Sequence, residues 1–194
     1  GARAGAAQGV HTHARERGLL MRLITPKRLQ QNEAFMWRLA DQQLDEFIAD
    51  GRCEFISAYS QPFAMLAVAD LLGVPESDHQ RFREGFGLHG GTPGRLGDEE
   101  PPQELNALAW LDDWFASYVE DRRREPRADV ITDLALAKYP DGSTPDVTSV
   151  VRIATFLFAA GQETTARLLA TALKYLAEYP ELQDELREHR DRIP

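Results

Sequence analysis

The chain has 194 residues, 43% of them hydrophobic and 27% charged, which excludes a disordered or fibrous protein and leaves room for a sizeable core. Its net charge of −9 is the wrong sign for a general nucleic-acid binder. Cys53 is the single cysteine, so no intrachain disulfide can form. With no secretory signal and no clean apolar run of bilayer length, the expected protein has no membrane anchor and is cytoplasmic.

The opening "GARAGAAQGV" reads as a loop without an initiator methionine, and "REHRDRIP" stops on proline with no closing element. Both suggest a piece of a longer protein. Residues 11–24 have the pattern of a basic amphipathic helix. A second helix is expected to start with Thr25 as N-cap and Pro26 at the first helical position, and to end at Gly51. Leu29, Phe35, Met36, Leu39, Leu44, Phe47 and Ile48 recur at helical spacing within it. "CEFISAYSQPFAMLAVADLLGVP" reads as a short extended piece and then a strongly apolar helix stopped at Gly73. A short polar helix over residues 77–86 follows. Residues 85–102, "GFGLHGGTPGRLGDEEPP", are rich in glycine and proline and predict a loop, of a length that often serves as a lid.

Residues 103–124 predict another helix, with Leu105, Leu108, Leu111, Trp114, Phe115 and Tyr118 on one side. The arginine run that closes it reads as a solvated helix end. "ADVITDLALAKY" is a short helical piece and "PDGSTP" a turn. Between Pro145 and Pro180 lie 34 residues without another proline, a helix of roughly 50 Å if continuous. We place it over residues 146–179, followed by the charged helix "ELQDELREHR". No run of strands is visible, so the fold is mainly α.

The middle of that long helix departs from its apolar surroundings. Gly161, Glu163, Thr164 and Thr165 are costly choices in a buried helix. Gly161 removes a side chain, so something can approach the backbone. Thr164 can bond back to a carbonyl near Ala160 or Gly161, which bends helices and can open them locally. Glu163 adds an acid beside the alcohol, and together they suggest a proton relay next to a bound small molecule. On these residues alone an alternative stays open: Gly161 as a helix–helix crossing point, with Glu163 facing solvent.

"AGQETT", residues 160–165, resembles the central-helix signature of the cytochromes P450, Ala/Gly-Gly-x-Asp/Glu-Thr-Thr/Ser. Its surroundings, "FLFA" before it and "ARLLATALKYLAEYPELQDELR" after it, also read like the soluble bacterial members. "HARER" fits the family's His-x-x-x-Arg helix that holds the haem propionates, with "TP" at 25–26 downstream. His13 and Arg17, one turn apart, share a face. "LLGVPESDHQRFREG" is a further family-like stretch. The resemblance implies a mainly α, incomplete cytochrome P450 fold, from the C-helix through the long I-helix into the J-helix.

It also implies haem b and electrons from NAD(P)H through ferredoxin and ferredoxin reductase. A hydrophobic small-molecule substrate would be hydroxylated. Glu163 and Thr164 are the implied catalytic pair. Thr164 would hydrogen-bond the oxygen being activated, and Glu163 would help bring protons in. His13, Arg17, Ala160, Gly161 and Thr164 are the implied cofactor-binding residues, and residues 85–102 the substrate lid.

The family's axial ligand sits in Phe-x-x-Gly-x-x-x-Cys-x-Gly, which these 194 residues do not contain. Cys53, in "GRCEF", lies on the wrong side of the central helix and reads as a small, partly buried residue. No residue here is expected to ligate the metal, and the chain alone is expected to be inactive. Glu120 and Arg123 fit the family's Glu-x-x-Arg but precede the central helix, and read as a surface pair. Without its remaining parts the chain is expected to self-associate through the apolar face of the long helix. The alternative from another class is a non-enzymatic helical ligand-binding or interaction domain that never holds haem.

Overall fold

The computed structural model describes residues 25–89 and 109–192. His13, Arg17 and the helix expected over residues 11–24 lie outside this set, as does most of the loop expected at 85–102. Seven α-helices follow one another, with no strand among the described residues: α1 (Pro26–Asp45), α2 (Gln61–Leu72), α3 (His79–His89), α4 (Ala109–Arg124), α5 (Val130–Ala135), α6 (Val147–Glu178) and α7 (Pro180–Glu188).

Most boundaries follow local chemistry. Thr25 caps α1, its hydroxyl accepting from the Arg28 N–H at 3.3 Å, and Pro26 occupies the first turn. Asp146 caps α6 by accepting from the Ser149 N–H at 2.6 Å, and Pro180 opens α7 directly behind α6. Gly73 ends α2 at φ 102°, a left-handed conformation that suits glycine. Three expectations need correction. α1 stops at Asp45, and Gly51 (φ 64°) closes a separate 3₁₀ turn, Ile48–Asp50. The segment before α2 is a π turn, Ile56–Ser60, rather than an extended piece. α3 continues to His89, so the expected loop does not begin at Gly85.

α2 and α6 form the centre. α2 buries Ala64, Met65, Leu66, Ala67, Ala69 and Leu72, which is more than one helix face and requires neighbours on several sides. It packs against α1, α3 and α6, while α6 packs against α2, α4, α5 and α7. Where α3, α4 and α6 meet, Phe82 is fully buried. Its ring meets Trp110, Trp114, Phe115 and Phe158 edge-on at 4.9–6.2 Å between centroids, the geometry aromatic quadrupoles favour.

Three helix ends converge on Arg122, which is 1% exposed. Its guanidinium donates to Asp129 at 2.6 Å, to Asp121 at 2.7 Å and to the Gly73 carbonyl at 2.7 Å. Asp129 also caps α5, accepting from the Thr132 N–H at 2.7 Å. A Cβ on Gly73 would come within 2.5 Å of Asp129, so the glycine is needed for space as well as for its φ. The arginine run is therefore not simply a solvated helix end. Arg123 likewise turns inward, donating to the carbonyls of Ala135 and Pro145, and the surface pairing expected with Glu120 gives way to these bonds.

Candidate active site

α6 runs unbroken from Val147 to Glu178, through the glycine and both threonines. Its two faces differ. Val150, Val151, Ile153, Ala154, Phe158 and Ala166 are buried. Phe156, Ala160, Thr164 and Leu168, four residues apart, form an exposed stripe down the other side. Phe156 is 60% and Leu168 68% exposed, so two large apolar side chains flank a small residue and an alcohol.

Thr164 behaves as its sequence context predicts. Its hydroxyl donates to the Ala160 carbonyl at 2.7 Å and lies 3.3 Å from that of Gly161. The proton is thus directed at the helix, which leaves the oxygen's lone pairs for the exposed side. The bond does not open the helix, contrary to the expected local opening.

Gly161 sits at a helix crossing. A Cβ there would lie 3.1 Å from Val68 Cγ2 of α2, tighter than most side-chain contacts, so the glycine lets α2 and α6 approach. This geometry matches the alternative left open by the sequence. Ala160, not Gly161, belongs to the exposed stripe. Glu163 is also exposed, and its carboxylate accepts from Arg167 one turn on, at 2.5 Å. The carboxylate therefore points towards the C-terminal end of α6, while the Thr164 hydroxyl points the other way. The structure brings Ala160, Glu163 and Thr164 to one side of one helix and sets Gly161 against α2.

Comparison with known proteins adds to this geometry. The family model described as Cytochrome P450 matches residues 105–193. The substrate-free structure of Mycobacterium marinum cytochrome P450 CYP150A6 superposes with a TM-score of 0.76 at 57% identity, over 92% of this chain and 40% of that one. Cytochrome P450 144 of Mycobacterium tuberculosis is 30% identical over 90% of this chain and 40% of its own length. The cytochrome P450 monooxygenase PikC of Streptomyces venezuelae is 27% identical over 90% of this chain and 41% of its own. The chain folds as part of a cytochrome P450. It spans under half the length of the curated relatives it matches.

Within the cytochrome P450 fold the signature helix is α6, and "AGQETT" lies at its middle. Cys53 is a free thiol and exposed, not partly buried as its sequence suggests. Among the described residues no group of three or more histidine, cysteine or carboxylate side chains could hold a metal ion. No described helix is long and apolar enough to cross a membrane. Sequence reasoning missed the aromatic cluster around Phe82, which reaches α6 two residues before Ala160. A signal existed in the apolar spacing of Trp110, Trp114 and Phe115, but nothing local says that Phe82 and Phe158 meet them.

Proposed function

We propose that this chain is part of a haem-thiolate monooxygenase that hydroxylates a hydrophobic organic molecule, and that the exposed stripe of α6 is its oxygen-activating surface. The observation that carries the proposal is the Thr164 hydroxyl. It is held at 2.7 Å from the Ala160 carbonyl, inside the family's signature, on an exposed and otherwise mostly apolar stripe. An alcohol anchored in this way presents a fixed oxygen at a defined point of a smooth surface.

The residues present fit a flat macrocycle. Ala160 keeps the middle of the stripe low, and the exposed Phe156 and Leu168 offer apolar contact on either side. Haem, when bound, supplies the activation of O2 with two electrons from NAD(P)H, delivered through ferredoxin and its reductase. The thiolate would have to be supplied by a cysteine not among these 194 residues, since Cys53 lies outside the family's cysteine motif. Ala160 borders the group, and His13 and Arg17 hold its propionates, Arg17 through charge-assisted bonds. Thr164 accepts and relays a hydrogen bond. Glu163 brings protons after leaving Arg167, an exposed pair whose opening costs at most about 0.5 kcal/mol. Gly161 contributes by letting α6 pack closely on α2. The segment at 85–102 and its flanking helices cover the substrate side, and the protein works in the cytoplasm.

The test is a carbon-monoxide difference spectrum of the reduced, haem-loaded protein. The Soret band of a thiolate-ligated haem is expected. A full-length protein with no such band would instead be a helical ligand-binding or interaction domain.

A further inference from the structure

A small polar crevice of about 120 Å³ lies where three helix ends meet, and no residue of α6 lines it. The first two turns of α1 give it Arg28 and Asn32, and the last turn of α2 gives it Asp70. Asp129, the cap of α5, completes the wall.

Two of these groups are left unanswered by the fold. Asn32 is 8% exposed. Its amide nitrogen donates to the Ala67 carbonyl of α2 at 3.5 Å, which sets which way round the amide stands. Its Oδ1 is covered and has no hydrogen-bond partner among the described residues, a costly state for a buried amide oxygen. Asp70 is half-buried. Burial, and next the Glu76 carboxylate, raise its carboxyl to about 6 against the pull of Arg38, and no hydrogen bond helps to hold its charge. The other charged groups of the wall are engaged. Asp129 accepts from Arg122 and from the Thr132 N–H, and Arg28 donates to Asp133 at 2.9 Å.

Both unanswered groups are acceptors. Both lie against the last two turns of α2, the negative end of its dipole. A water answers Asn32 but leaves the charge of Asp70 uncompensated. A divalent metal needs more carboxylates than the single one left unpaired here, in keeping with the lack of a three-ligand cluster among the described residues. A singly charged ion matches the set, because one carboxylate balances its charge and neutral amide and carbonyl oxygens suit it as further ligands.

We infer that the crevice between α1, α2 and the cap of α5 binds a monovalent metal cation through Asn32 Oδ1 and the Asp70 carboxylate, and that the ion ties these three elements together. The site stands apart from the monooxygenase reading and does not depend on it.

Melting and sodium-23 NMR on the full chain at pH 7.5, chosen to keep about all of Asp70 ionised, test it. Chlorides of sodium, potassium and tetramethylammonium are compared at equal ionic strength, since the last carries its charge under four methyl groups and cannot be ligated by oxygen. The melting temperature should rise saturably with sodium or potassium over tetramethylammonium. The sodium line should broaden with protein and sharpen again as potassium displaces the bound ion. Both signals should be lost in Asp70→Asn, which keeps the shape of the side chain, and in Asn32→Leu. Equal melting in the three salts would mean that the crevice holds water only and would overturn the inference. So would a line width or a salt-dependent gain that survives Asp70→Asn. Should Asn32→Leu fail to fold, Asp70→Asn decides the matter alone.

Discussion

Two residues of α6, Phe156 and Phe158, divide the molecule. Phe158 is fully buried among Phe82 and Phe115, while Phe156 is 60% exposed. The contrast persists along the helix. Its N-terminal half has buried side chains against α2 and α4; beyond Ala160 the buried residue is Ala166, and Leu168, Leu173 and Tyr175 are exposed. Identical chemistry thus serves two purposes on one element. One face holds the fold together and the other is left to contact something else. A segment this apolar needs that second contact, because a row of exposed leucines and aromatics is a docking surface or an aggregation hazard.

The comparison can be broken most sharply at the buried end. Arg122→Ala leaves Asp129 without its cation in a covered site, while Asp121 keeps Arg127, and should cost about 3–5 kcal/mol in a chemical denaturation series. Phe158→Ala should cost about 3–5 kcal/mol through the cavity it leaves, whereas Phe156→Ala should cost well under half as much. Equal losses at the two phenylalanines would mean that the exposed face is covered in solution, as a self-associated chain would cover it, and light scattering would show this directly.

A smaller effect should depend on pH. Burial, and next the Glu76 carboxylate, raise the Asp70 carboxyl from 3.8 to about 6, with Arg38 opposing. An acid whose pKa is raised by folding binds its proton more tightly in the folded state. Its contribution to stability is therefore favourable at low pH and is lost as pH rises from 3.8 through about 6. Asp70→Asn should raise the melting temperature above that range and do little below it. A gain that is the same on both sides of the range would show that the carboxyl's charge is not what burial opposes.

On the exposed face, stability should barely register. Thr164→Ala is expected to change it by less than about 1 kcal/mol, yet in the haem-loaded protein to lower the product formed per NAD(P)H consumed; unchanged coupling would remove Thr164 from the relay. The smallest effect is expected at Arg167→Ala, about 0.3–0.5 kcal/mol for an exposed pair one turn apart.

Much of the scaffold was legible. Pro145 and Pro180 bracket α6 because proline disfavours helix before it and opens the helix that follows. Thr25–Pro26 marks α1 for the same reasons. Thr164 bonding to Ala160 followed from i, i+4 proximity. What stayed hidden was always a matter of partners. Arg122 looks like any arginine at a helix end until the Gly73 carbonyl and Asp129 arrive from other elements. Gly161 suggested room for a ligand, but Val68 fills the space.

The sequence by itself therefore determined the helical elements, their caps and the signature that places this chain in the cytochrome P450 fold, since these depend on neighbours within about one helical turn. Only the tertiary structure decided which glycine serves packing and which arginine is buried. Those outcomes are set by side chains distant in sequence, and burial turns an ordinary surface group into one that must find hydrogen-bond partners.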